Sequence, residues 1–229
     1  MGKGIRMTGQ SAFHRLAVSA VAALAVAGPL AATSLAGPAA AQSQRGPRDA
    51  QAEAFVQNEA SQVITILGDK SLSLAVKKQR FRAMIDQVAD VPRVSSYVLG
   101  KYNRTITPQQ KQEFAAAFRE FANGVYESRL GQYKGESVRV TGSIVRRPGD
   151  VIVSSQIVGG GRARPVQVSW RVLKNDDGRW RAVDVEVAGV WLAITQQQDF
   201  VSTIDNAGGN IDVLIRQLRS QAARNNAGA

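Results

Sequence analysis

Between Gly131 and Gly135 the spacing of apolar residues changes from a helical period to strand-like alternation, and this switch constrains the chain more than any other feature. Before it, apolar residues recur on single helix faces. Phe55, Val56, Val63, Ile66 and Leu67 form one such face, starting from Asp49 and closed by Gly68. Leu74, Phe81, Met84, Ile85 and Val88 form a second from about Leu72. Pro92 then leaves room only for a short third helix through Val94, Tyr97, Val98 and Leu99 to Gly100. At Thr107-Pro108-Gln109-Gln110 a threonine can cap free backbone N–H groups, proline suits the first turn, and the glutamine can reach back. This predicts the longest helix, striped by Phe114, Phe118, Phe121 and Val125 and ending at Gly131.

After Gly135 the pattern predicts four strands. Val138, Val140 and Ile144 alternate with polar residues, Arg147-Pro148-Gly149-Asp150 turns, Val151 to Val158 returns, and Gly159-Gly160-Gly161 turns again. Val166, Val168, Trp170 and Val172 alternate next, and Asn175-Asp176-Asp177-Gly178 leads into Arg179 to Val187. A helix from about Thr195 to Asn206 and another striped by Ile211, Leu214, Ile215 and Leu218 follow, separated by Gly208-Gly209-Asn210. The order of helices, sheet, helices predicts the α+β class, with an antiparallel four-stranded sheet and helices packed on one face. One domain is expected over 49–224, with a frayed C-terminus at 225–229.

The beginning of the chain reads differently. Lys3, Arg6 and Arg15 precede and flank an apolar run from Leu16 to Leu35, and Ala39-Ala40-Ala41 supplies the small residues of a cleavage site. Residues 1–41 are therefore expected to be a secretory signal peptide, and 42–48, with Gly46-Pro47, a flexible leader. No later segment approaches the roughly 20 apolar residues of a membrane span.

Two absences exclude whole classes of chemistry. The only histidine is His14, in the expected signal peptide, and there is no cysteine. A serine–histidine–acid triad, a histidine base, a disulfide and the common zinc sites are thereby excluded from the remainder. The formal net charge of +11 is spread along the chain, which favours anionic partners such as lipid head groups, a membrane surface or nucleic acid.

Three features bear on function. Asp184 and Glu186 stand two apart on a strand, so both carboxylates point to one face about 7 Å apart, either as an acid–base pair or as a solvated face balanced by Arg179 or Arg171. Gly159-Gly160-Gly161-Arg162 lacks the ending of a phosphate-binding loop and joins two strands, so it reads as a hairpin. Arg146, Arg147, Arg162, Arg164, Arg171, Arg179 and Arg181 lie near Trp170 and Trp180, a combination that suits nucleic acid, lipid phosphates, an acidic protein or a plain solvated face.

The segments Val98-Leu99-Gly100-Lys101-Tyr102, Thr107-Pro108-Gln109-Gln110, Phe114 to Tyr126, Tyr133-Lys134-Gly135-Glu136, Trp180 to Val185, Gly189-Val190-Trp191-Leu192 and Gln196 to Phe200, in this order and spacing, resemble the MlaC family, also called the toluene-tolerance family. Asn103 and Ala188 depart from the family pattern. The resemblance implies a nuclear-transport-factor-like cone holding a phospholipid tail-first, with no cofactor, no metal and no catalytic residue. It further implies a periplasmic monomer that serves outer-membrane lipid asymmetry. Its partners would be an inner-membrane ABC transporter with an MCE-domain ring and an outer-membrane lipoprotein complex, not nucleic acid. Hopanoid or another lipid stands as alternative cargo, and an acid–base enzyme using Asp184 and Glu186 as the alternative activity. The residues expected to line the lipid site are Val98, Tyr102, Phe114, Phe118, Phe121, Val140, Val168, Trp170, Val172 and Trp191.

Overall fold

The computed structural model describes residues 47–227, and the expected signal peptide and most of the leader lie outside them. Helices α1 (Ala50–Gly68), α2 (Leu74–Val88), α3 (Val91–Val98) and α4 (Pro108–Leu130) come first, with a 3-10 turn at Gly100–Arg104. Strands β1 (Glu136–Arg147), β2 (Asp150–Gly159), β3 (Val166–Lys174), β4 (Trp180–Val187) and β5 (Val190–Trp191) follow, then α5 (Leu192–Asn206) and α6 (Ile211–Ala227).

The helix starts are fixed by local side chains. Asp49 accepts a hydrogen bond from Ala52 N at 2.9 Å, Ser73 from Val76 N at 3.3 Å and Asp90 from Arg93 N at 3.1 Å. At α4, Gln110 N donates to Thr107 Oγ1 at 3.1 Å and Thr107 N donates to Gln110 Oε1 at 3.1 Å, a reciprocal capping box. Gly100 sits at φ +53°, and a Cβ there would lie 2.8 Å from Val201 Cγ2, so only glycine lets the turn after α3 pass this close to α5.

The sheet is an antiparallel meander in the order β1-β2-β3-β4-β5. It has one strand more than the four read from the pattern. The extra strand, β5, is two residues long, too short for alternation to register, and it pairs Val187 with Val190 and Glu186 with Trp191. Ala188 at φ 51° and Gly189 at φ 85° make the tight turn between β4 and β5. Beside β4 the chain also runs past Ala182, where Asp90 N donates to Ala182 O at 2.9 Å and occupies part of the strand's edge.

Register fixes which side chains share a face. Val151 faces Val172 and Val153 faces Trp170, and the helix residues Ala52, Phe55 and Val56 pack on this apolar face. Ile152, Arg171 and Asp184 line up on the other face. The register breaks between Arg171, which faces Asp184, and Val172, which faces Ala182. Val183 is the inserted residue, and the bulge lets Ala182 and Asp184 point to opposite faces. A second apolar cluster joins Val98 and Leu99 to Phe114, Ala117 and Phe118 of α4, Phe200 and Ile204 of α5, and Ile211, Leu214, Ile215 and Leu218 of α6. α6 continues to Ala227, past the residue at which fraying is expected from the sequence.

Candidate functional site

Of the ten residues expected to line a lipid site, eight fall into two groups. Val98, Phe114 and Phe118 are buried in the helical cluster, and Tyr102 and Phe121 pack half-buried at its margin. Val172 is buried in the sheet cluster, with Val140 and Trp170 half-buried against it. Val168 is buried beside them opposite Ser155, and Trp191 is half-buried in β5. The two clusters have no residue in common, so eight of the ten form two apolar walls rather than one patch, and Val168 and Trp191 lie outside both clusters.

The helical wall centres on three rings. Phe114 and Phe118 stack with centroids 5.8 Å apart, and Phe200 meets them edge-on at 5.8 Å and 5.9 Å. Phe200 is fully buried and was not among the ten; it stands alone among polar residues in Gln196-Gln197-Gln198-Asp199-Phe200, where only the helical stripe could have marked it. On the sheet wall, Trp170 Nε1 donates to Ser155 Oγ at 2.9 Å, and that hydroxyl donates to Val168 O at 3.1 Å. The Tyr102 hydroxyl donates to the Asp205 carboxylate, which Lys101 also approaches at 2.7 Å, and that acceptor holds the phenol pKa above its ordinary value. The 3-10 turn is thus tied to the end of α5.

Two carboxylates on the sheet's polar face, Asp150 and Asp184, are tuned in opposite directions. Asp150, with a side chain only 4% exposed, accepts two hydrogen bonds from Arg171 at 3.1 and 2.9 Å, and Arg147 stands 3.4 Å away. The Arg171 hydrogen bonds hold its pKa below the ordinary 3.8. Burial pushes Asp184 above 3.8, while its Oδ1 accepts from Val185 N and from Ala193 N, each at 2.8 Å. Asp184 and Glu186 do share a face, but the Asp184 oxygen is engaged by the backbone at the start of α5. Arg179 pairs with Asp177 at 2.7 Å instead of balancing it.

In the arginine-rich region, Arg147 and Arg171 share Asp150, Arg162 reaches Glu136 at 3.3 Å and Arg179 reaches Asp177, so much of its charge is met inside the molecule. Among the described residues no group of carboxylates or histidines could hold a metal ion, and no helix is long and apolar enough to cross a membrane. Two clefts open between α3 and α4. One, of about 210 Å³, is lined in part by Leu99, Asn103, Lys111 and Phe114. The other, of about 540 Å³, is lined in part by Asp86, Ala89, Ala116 and Arg119, and both share Pro92, Ser95 and Ala115.

A sheet and a helical bundle that each carry an apolar cluster, with the paired carboxylate candidate engaged in holding a helix, define a domain of the α+β class. The chain belongs to the MlaC protein family, whose model matches residues 57–220. It is 24% identical over 143 residues to the toluene tolerance protein ttg2D of Pseudomonas putida, covering 62% of this chain and 65% of that one. To the intermembrane phospholipid transport system binding protein MlaC of Haemophilus influenzae it is 23% identical over 133 residues, covering 56% and 60%. The matched stretch thus spans less than two thirds of each relative's length. Among solved structures, the phospholipid-binding protein of Ralstonia solanacearum in complex with a phospholipid aligns with a TM-score of 0.66 at 27% identity, covering 76% of this chain and 98% of that one.

Proposed function

We propose that this protein is a carrier, not a catalyst, that holds one phospholipid and moves it through the periplasm between the outer and inner membranes. The observation that carries the reading is the likeness to the Ralstonia phospholipid complex, which extends over 98% of that chain at 27% identity. In this reading the signal peptide delivers the chain to the periplasm. An inner-membrane ABC transporter with an MCE-domain ring and an outer-membrane lipoprotein complex exchange lipid with it, and hopanoids are the alternative cargo.

The energetics of such a carrier are those of transfer between apolar phases. Each methylene removed from water is worth about 0.8 kcal/mol, so two chains of about sixteen carbons are held against escape by roughly 25 kcal/mol. Against a bilayer the difference is close to zero, because both environments are apolar. Apolar enclosure of the chains therefore blocks loss to water yet leaves exchange with a membrane reversible.

The test is to purify the protein without detergent and examine it by native mass spectrometry and lipid extraction. About one phospholipid per chain is expected. A protein that arrives empty and takes up no lipid from vesicles would overturn the carrier reading.

A further inference from the structure

Ser95 lies inside α3 at the junction of the two α3–α4 clefts, is 5% exposed, and its Oγ has no hydrogen-bond partner. A helical serine commonly bonds the carbonyl one turn back, and a buried hydroxyl left without a partner is costly. Around it the larger cleft is walled by Ala89, Val91, Ala115 and Ala116, and its volume of about 540 Å³ falls in the range of small-molecule sites. Each cleft has one cation in its lining, Arg119 in the larger and Lys111 in the smaller, and the two differ. Arg119 is paired with Asp86, whereas Lys111 makes no ion pair among the described residues. Lys111 stands one turn from Ala115 on α4, about 6 Å along the axis, and lines the smaller cleft together with Ser95.

We propose that this cleft binds a single acyl chain, whose carboxylate or ester carbonyl oxygen accepts a hydrogen bond from Ser95 Oγ near the Lys111 ammonium while the chain lies along the larger cleft. The acyl group has two sources, a free fatty acid or one arm of the carried phospholipid, and only the second rests on the carrier reading.

The experiment titrates palmitate into delipidated protein and, in parallel, measures uptake of palmitoyl-oleoyl-phosphatidylglycerol from vesicles. Ser95→Ala should weaken acyl binding about tenfold without lowering thermal stability, since it deletes a hydroxyl that bonds nothing in the fold. Ala115→Trp should fill the cleft and abolish binding while circular dichroism is kept. Loss of palmitate alone assigns the site to free fatty acid, and loss of phosphatidylglycerol uptake assigns it to an arm of the carried lipid. If neither ligand is affected by either variant, Ser95 is satisfied by water only and the proposal is overturned, with the carrier reading untouched wherever phosphatidylglycerol still binds. Wild-type protein that takes palmitate through this cleft but no phosphatidylglycerol sinks the carrier reading and leaves the acyl site standing.

Discussion

The Asp184 carboxylate accepts a hydrogen bond from the backbone nitrogen of Ala193, nine positions on, at 2.8 Å, so a strand residue caps the helix that follows it. The residue before α5 is Trp191, which has no side chain able to cap, and the free N–H of Ala193 in the first turn is met from β4 instead. Asp184→Ala should therefore lower stability by about 1 kcal/mol, and Asp184→Asn, which keeps an oxygen acceptor, by less. Urea unfolding measures both, and an alanine variant as stable as the parent would refute the cap.

Asp150 and Asp184 should also pull the pH profile of stability in opposite directions. Asp150 has its pKa lowered from 3.8 by Arg171, so its stabilisation is present above 3.8 and is lost as pH falls through the lowered value. Asp184 has its pKa raised by burial, so its contribution is full below 3.8 and is lost as pH rises through the raised value. Unfolding free energies of Asp150→Asn and Asp184→Asn, compared with wild type from about pH 3 to 6, separate the two. The wild-type advantage over Asp150→Asn should grow with pH, and that over Asp184→Asn should shrink; movement in the same direction contradicts this assignment.

Phe200 anchors α5 between Phe114 and Phe118 and is fully buried, so Phe200→Ala should cost about 3–5 kcal/mol in chemical denaturation. Phe121 lies half-buried at the margin of the same cluster, and Phe121→Ala should cost clearly less. Equal losses would mean that the ring trio is not the centre of the helical cluster.

Much of this fold is legible from local sequence because local sequence is what fixes it. Thr107 and Gln110 lie three residues apart and need only each other to start α4, and the alternation of Val151 and Val153 sets the sheet face that α1 covers. What cannot be read depends on distant partners. The role of Asp184 requires the bulge at Val183 and the arrival of Ala193, and α5 starts at Leu192, ahead of the expected Thr195, because Asp184 supplies the cap. The division of eight of the ten candidate residues between two clusters is likewise tertiary. Periodicity says that Phe118 and Val172 each face inward, not that they face different interiors.

The three tryptophans give a direct reading of where acyl chains lie. Trp180 is 8% exposed in the sheet cluster, with the Lys174 ammonium 5.7 Å from its ring centre, and its Nε1 has no hydrogen-bond partner. Trp170 and Trp191 are half-buried, the first held through Ser155 and the second in β5, and both are among the residues read as lining the lipid site. If the tails run along that lining, a phospholipid with brominated acyl chains should quench Trp170 and Trp191 and spare Trp180. Trp170→Phe and Trp191→Phe should each lower the quenched fraction of the fluorescence. Trp180→Phe should raise it, because it removes an emitter the lipid does not reach, and phenylalanine there sacrifices no hydrogen bond. Quenching that disappears only with Trp180→Phe would place the tails beside Trp180 and remove Trp170 and Trp191 from the lining.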